Sequence, residues 1–136
     1  VLGFAFKANT NDTRESAAIQ ICKDLLDEGA ILNIHDPKVN ENQIEKDLNL
    51  SSIKLNEKDI LKEGTWKKIE GLTSAFDDAD AVIVLTEWDE YSNINWSKAS
   101  IKMRHPAWVF DVRSIIDPEK VKDSGINFWR IGDGLQ

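Results

Sequence analysis

Three cations stand where an anion could be held: Lys7, Arg14 and Arg113. Lysine offers a point charge with three donors, and arginine a planar fork able to hold two phosphate or ribose oxygens. Lys7 follows the apolar run Val1-Leu2-Gly3-Phe4-Ala5-Phe6, and Arg14 lies at the start of the next helical pattern. Arg113 leaves the apolar segment Trp108-Val109-Phe110 by way of Asp111 and Val112. Composition alone equally allows a solvated loop lysine, a helix-surface arginine, and an Arg113 paired with Asp111 or Asp117.

The groups that could break or make bonds do not assemble into a set. Cys22 falls on the apolar side of a helical pattern, whereas a nucleophilic thiol needs exposure and a basic or cationic neighbour. It reads as a core residue. His35 and His105 are far apart, without a second cysteine or nearby histidine for a metal motif and without a Ser or Cys partner for a triad. Asp36 stands where a dinucleotide-binding fold keeps its ribose acid. Only Gly3 is present near the first loop, however, and no G-x-G-x-x-G follows, so close approach of a pyrophosphate is not provided for. Asp36 therefore reads as a turn aspartate before Pro37.

Alternating elements must position these residues. The opening run is apolar throughout, as in a parallel strand buried on both faces. Asp12 and Glu15 make a capping-box pattern that predicts a helix start. Ala17, Ala18, Ile21, Cys22, Leu25 and Leu26 then recur at helical intervals, and Gly29 ends the helix. Ile31 to His35 is a second strand closed by Asp36-Pro37, completing a βαβ unit with a right-handed crossover. From Lys38 to Gly64 the chain is polar, and short helices or an excursion are expected.

Further on, Trp66–Ile69 predicts a short strand, Thr73–Asp78 a short helix and Ala81–Leu85 a buried strand. Trp96, Ala99 and Met103 share the face of a helix that must end before Pro106. Trp108–Phe110 is another strand. Asp117-Pro118 is an N-cap with proline at the first helical position, Gly125 ends that helix, and Ile126–Ile131 is a last strand. The alternation predicts an α/β domain: an open, mainly parallel sheet with helices on both faces. Ligands of such sheets bind at the carboxyl ends of the strands, near the switch point.

The 136 residues carry 17 basic and 24 acidic side chains, a net charge of −7. That balance gives no attraction for nucleic acid or anionic membranes, and the five tryptophans read as core rather than as stacking platforms. No apolar run approaches the roughly 18 residues of a membrane helix. One cysteine precludes an internal disulfide and suits a reducing, cytoplasmic setting. The start within a buried strand, without methionine, suggests a piece of a larger parent.

The segment Gly3-Phe4-Ala5-Phe6-Lys7 followed by Asp12-Thr13-Arg14-Glu15-Ser16 resembles the hallmark of nucleotide-sugar 6-dehydrogenases, G-[FL]-[AS]-F-K and then D-x-R-E-S. Asp36-Pro37, Thr86-Glu87-Trp88 and Phe110-Asp111-Val112-Arg113 agree in order and position, so the resemblance runs to about Asp117. It implies a C-terminal, Rossmann-like, three-layer domain spanning 1–136 that binds the nucleotide sugar. The parent implied has an N-terminal NAD-binding domain and a central dimer-making helix, and forms a homo-oligomer. Such enzymes turn the sugar's C6 alcohol into a carboxylate with two NAD per turnover, through a cysteine-linked intermediate; that cysteine would lie outside this chain.

By the resemblance, Phe6, Lys7 and Arg113 contact the UDP-sugar and Arg14 reaches NAD. No catalytic or metal-binding residue is implied here, and this segment alone would be inactive. The motif details resemble enzymes acting on UDP-glucose; UDP-N-acetylmannosamine or GDP-mannose enzymes, and a non-catalytic nucleotide-binding or assembly domain, are the alternatives. Val112 replaces a glycine frequent in relatives, and Ser114 follows where they carry Asn or Arg. The stretch from Lys38 to Gly64 resembles the longer insert of animal-type enzymes.

Overall fold

The computed structural model describes residues 1–53 and 63–132. In chain order the regular elements are α1 (Ala17–Asp27), β1 (Ile31–Ile34), α2 (Glu41–Leu48), β2 (Thr65–Lys68), a 3-10 turn (Leu72–Phe76), β3 (Ala81–Val84), α3 (Asp89–Ser92), α4 (Trp96–Lys102), β4 (Trp108–Asp111), α5 (Pro118–Asp123) and β5 (Asn127–Arg130). All strand pairs are parallel: β1 with β2, β3 with β4, and β4 with β5.

The expected first strand is reduced to a single ladder position. Leu2 bridges both His35, at the end of β1, and Val84 in β3. The Leu2 amide donates to the Ile83 carbonyl at 2.8 Å, and the Leu85 amide donates back to Leu2 at 2.9 Å. On the other side the His35 amide reaches the Val1 carbonyl at 2.9 Å and the Gly3 amide reaches His35 at 2.8 Å. Leu2 thereby joins two half-sheets into one of order β2-β1-Leu2-β3-β4-β5. The chain starts at the centre and winds outward twice, the doubly wound α/β arrangement with its switch point between Leu2 and β3.

Helix α1 starts later than Asp12-Glu15 suggests. Ser16 is its N-cap and accepts from the Ala18 amide. Glu15 takes a left-handed φ of 61°, which no helical first turn tolerates. The predicted stop holds, with Gly29 at φ 90° after the Glu28 cap. Trp96, Ala99 and Met103 are buried together, and Asp117 caps α5 by accepting from the Glu119 amide at 3.0 Å, with Pro118 in its first turn. The short helix expected over Thr73–Asp78 is the 3-10 turn. Within the polar stretch from Lys38 to Gly64, α2 forms one helix capped by Asn40, and residues 54–62 lie outside the described ones.

The core is continuous, and Phe4, Cys22, Ile34, Ile44, Trp66, Val84 and Val109 are among its fully enclosed members. Trp66 is core as expected, but Trp108 and Trp129 are more than a third exposed. They stand with Phe110 on the other sheet face from buried Val82 and Val109, where Trp108 stacks on Phe110 at a centroid separation of 5.6 Å. Alternation along β4 dictates that split, since successive side chains point to opposite faces.

Helix α3 is tied to the sheet through the Tyr91 hydroxyl. The buried Tyr91 hydroxyl donates to the His35 carbonyl oxygen at 3.1 Å and lies 2.8 Å from His35 Nδ1. With its hydrogen given to the carbonyl, the hydroxyl accepts from Nδ1–H. Burial lowers the His35 pKa from its ordinary 6.5. The unfolded chain therefore binds more protons than the folded one below pH 6.5. The stability contributed by neutral His35 is complete above that pH and is lost as pH falls toward the folded value. We predict that His35→Gln flattens the fall in urea midpoint below pH 6.5; parallel wild-type and variant curves would contradict this.

Candidate functional site at the switch point

Beyond Leu2 the chain stays buried but leaves the ladder. Phe4 and Ala5 are 0% and 1% exposed, so their four backbone polar groups need partners other than water. Side chains supply all of them. Both amides donate to Asp36 Oδ2, at 2.8 and 3.0 Å. The Phe4 carbonyl accepts from the Ser16 hydroxyl at 2.8 Å, and the Ala5 carbonyl from the Thr86 hydroxyl at 2.9 Å. Gly3 allows Thr86 this close: its φ is 95°, and a Cβ there would sit 2.3 Å from Thr86 Cβ.

Asp36 is thus more than a turn residue. Its Oδ2 also accepts from Trp88 Nε1 at 3.2 Å, while Oδ1 accepts from the Lys38 and Val39 amides at 2.9 and 3.0 Å. The carboxylate is spent on the fold and has no oxygen left for a ribose.

Phe6 and Lys7 emerge from this clamp into solvent, Phe6 being 48% exposed. The loop beyond closes on itself where the Phe6 amide donates to the Asp12 carbonyl at 2.8 Å. Arg14 lies in this loop rather than on α1. Its Nε and Nη2 grip Asp12 Oδ1 and Oδ2 at 3.0 and 2.9 Å. The guanidinium and amide of Arg14 hold the Asp12 carboxyl down at about 2. Arg14 remains largely exposed, and its outer donors are free to face a ligand held from outside the chain.

The Arg113 side chain pairs with neither Asp111 nor Asp117, the acids its sequence neighbourhood allows. Asp111 is buried and binds backbone: the Arg113 and Ser114 amides donate to its Oδ1 at 2.9 Å each, and the Ile116 amide to its Oδ2 at 2.8 Å. Asp117 caps α5. The Arg113 side chain goes to Glu87, with Nε 2.6 Å from Oε2 and Nη2 on the same oxygen. Glu87 Oε1 accepts the Ala8 amide at 2.7 Å. Burial pushes the Glu87 pKa up, but the Ala8 amide and Arg113 outweigh it, and the net shift is downward. Glu87 therefore ties the loop carrying Lys7 to Arg113, while Arg14 pairs separately with Asp12.

Sequence reasoning placed Glu87 in a motif but gave it no role. The available signal was position: an acid just past β3, between two strand-end cations. Val112, in place of the relatives' glycine, is half-buried and donates its amide to Val84 at 3.2 Å; it is Ser114 that takes the left-handed φ, 58°.

Other reactive groups are engaged elsewhere. Burial raises the Cys22 thiol to about 11, and His105 Nε2 meets the Ser100 carbonyl oxygen at 2.8 Å. Among the described residues no three His, Cys, Asp or Glu side chains gather to hold a metal. No helix there is long and apolar enough to cross a membrane. A resident dinucleotide does not fit the switch point: the glycine-rich turn is absent and Asp36 is consumed. Lys7 and Arg113 are exposed cationic groups on the loops of this edge, the kind of donors that pair with anions.

A doubly wound parallel sheet with exposed cations on the loops at its carboxyl edge is a Rossmann-like domain. The chain belongs to the UDP-glucose/GDP-mannose dehydrogenase family, whose UDP binding domain matches residues 1–118. UDP-glucose 6-dehydrogenase 2 of Arabidopsis thaliana is 38% identical over 99% of the chain, and UDP-glucose 6-dehydrogenase 1 of Glycine max 39% identical over the same share. The chain spans 29% of the length of each. The UDP-D-ManNAc dehydrogenase of Pyrococcus horikoshii superposes with a TM-score of 0.69 at 26% identity, covering 98% of this chain and 25% of its own. An NDP-N-acetyl-D-galactosaminuronic acid dehydrogenase of Methanosarcina mazei Go1 shares the fold, with a TM-score of 0.66 at 23% identity over 96% of this chain and 23% of its own.

The clamp makes a direct prediction. In Asp36→Asn an amide group faces N–H donors on one side, leaving two or more buried amides unpaired at about 1–3 kcal/mol each. Urea unfolding should show a loss of about 2–4 kcal/mol; a loss below about 1 kcal/mol would mean the clamp contributes little.

Proposed function

We propose that residues 1–136 form the C-terminal UDP-binding domain of a larger UDP-glucose 6-dehydrogenase, which converts UDP-glucose to UDP-glucuronate. The observation that carries this reading is the linkage, through Glu87, of the Lys7 loop to Arg113 at the switch point. Lys7 and Arg113 neutralise the diphosphate of the UDP-sugar, and half-exposed Phe6 offers an apolar ring beside them. Arg14, outside that linkage, serves NAD held mainly by the N-terminal domain of the parent. The catalytic cysteine belongs to that missing part, since Cys22 is buried and protonated at neutral pH.

Oxidation of a primary alcohol to a carboxylate removes two hydrides, and NAD, when bound, accepts one per molecule. This chain's residues bind and orient the substrate. UDP-glucose is favoured because identity to the UDP-glucose 6-dehydrogenases is 38–39%, against 26% to the UDP-D-ManNAc dehydrogenase. A cytoplasmic homo-oligomer is the form proposed for the parent.

The full-length protein should form two NADH per UDP-glucose, with little from UDP-N-acetylmannosamine or GDP-mannose, and residues 1–136 alone should form none. Turnover of another of these sugars would move the substrate assignment. No NADH from any, in folded protein, would favour a non-catalytic nucleotide-binding domain. For binding, a Lys7→Ala/Arg113→Ala double variant should weaken UDP by about tenfold or more, as expected for charge-assisted hydrogen bonds of about 1.5–3 kcal/mol each. Equal affinities by calorimetric titration would remove these residues from the site.

A further inference from the structure

We infer that Glu87 is a positioning residue of the anion site: its carboxylate fixes the direction in which Arg113 presents its free edge to the diphosphate. The inference rests on the UDP-binding reading above and extends it to a residue that acts through Arg113.

The geometry assigns the role. Glu87 follows β3, Ala8 follows the Leu2 segment, and Arg113 follows β4, so three loops meet at one carboxylate. Its two oxygens are divided between them, Oε1 to the Ala8 amide and Oε2 to Arg113 Nε and Nη2. An arginine bound along its Nε–Nη2 side keeps Nη1 and the outer hydrogen of Nη2 free, and these point away from the glutamate. The side chain has four rotatable bonds and would otherwise sample many directions, a freedom that ligand binding would have to remove. The Arg113 backbone is already fixed by Asp111. Glu87 fixes the rest of the residue.

Electrostatics argues that this contact is not incidental to the site. A carboxylate beside an anion-binding arginine lowers the local positive potential, so by charge alone the site would bind UDP better without it. Orientation and competition thus predict opposite signs for its removal. Two fifths or less of either side chain is exposed, 37% for Arg113 and 31% for Glu87, which favours a held geometry over a solvent-averaged pair. Replacement by glutamine separates the two halves: its carbonyl can still accept from Ala8, but its amide presents N–H groups to the N–H groups of Arg113.

The test is calorimetric titration of UDP into the full-length protein, comparing wild type, Glu87→Gln, Glu87→Ala, Arg113→Ala and the Glu87→Ala/Arg113→Ala double variant. Expected is a loss of affinity of about tenfold for Glu87→Ala, with Glu87→Gln close to it. In the Arg113→Ala background Glu87→Ala should add less than about twofold. Glutamine restoring wild-type affinity would reduce Glu87 to a support for the Ala8 loop, and glutamine tightening binding would make it a competitor; either overturns the inference. Multiplying losses of Glu87→Ala and Arg113→Ala would overturn it as well. Wild-type protein that does not bind UDP removes the underlying reading itself, a result distinct from a binding wild type indifferent to Glu87.

Discussion

Four backbone groups with no sheet partner determine how this domain is built. Phe4 and Ala5 must leave the ladder if Lys7 is to reach the surface at the switch point, yet they remain buried. Left unpaired, their amides and carbonyls would cost about 4–12 kcal/mol in all, at about 1–3 each. That is comparable with the whole stability of an ordinary domain, about 5–15 kcal/mol. Asp36, Ser16 and Thr86 offset this cost, each from a different element and each over a long loop. The clamp joins the end of β1, the start of α1 and the end of β3 around one dipeptide.

Acidic side chains at strand ends share one physical task here. Asp36 past β1, Glu87 past β3 and Asp111 at the end of β4 each gather N–H groups from the loops around them. Parallel strands release their loops at the same edge, and those loops start with amides that have no ladder partner. A carboxylate accepts several such bonds at once, and charge-assisted bonds are the stronger kind. The three acids grade outward, with Asp36 and Asp111 enclosed and Glu87 half-exposed. The innermost two accept backbone amides and, at Asp36, the Trp88 indole; the outermost also pairs with the Arg113 side chain.

Much of this was legible from the residues. The helix ending at Gly29 and the strand after it, the strand starting at Ala81, the Asp117-Pro118 helix start and the burial of Trp96, Ala99 and Met103 follow from local pattern and capping. What pattern could not convey were contacts across distance. Asp12 with Glu15 has the form of a capping box, but Asp12 is held by Arg14, and the cap passes to Ser16. Arg113 has acids two and four residues away, yet its side chain pairs with one twenty-six residues earlier, while Asp111 is buried and engaged by three backbone amides and Asp117 caps α5. The opening run looked like a full strand because burial and strand formation usually coincide; here side chains replace the ladder and burial persists without it.

The same distinction separates what identifies the family from what argues for its chemistry. Aspartate of Asp36-Pro37, Ser16 of the D-x-R-E-S segment and Thr86 of Thr86-Glu87-Trp88 are the clamp itself. A protein that kept this fold and bound nothing would still need them, so their presence speaks for the architecture. Lys7 is different. It is exposed and takes no part in the clamp, and its one effect among the described residues is a weak attraction to Asp12, which Arg14 already grips. Arg113 is different too, since its backbone is secured by Asp111 and its guanidinium keeps an open edge. An anion at this edge, as proposed above, would give both residues a purpose, and the clamp would supply the rigid edge from which they act.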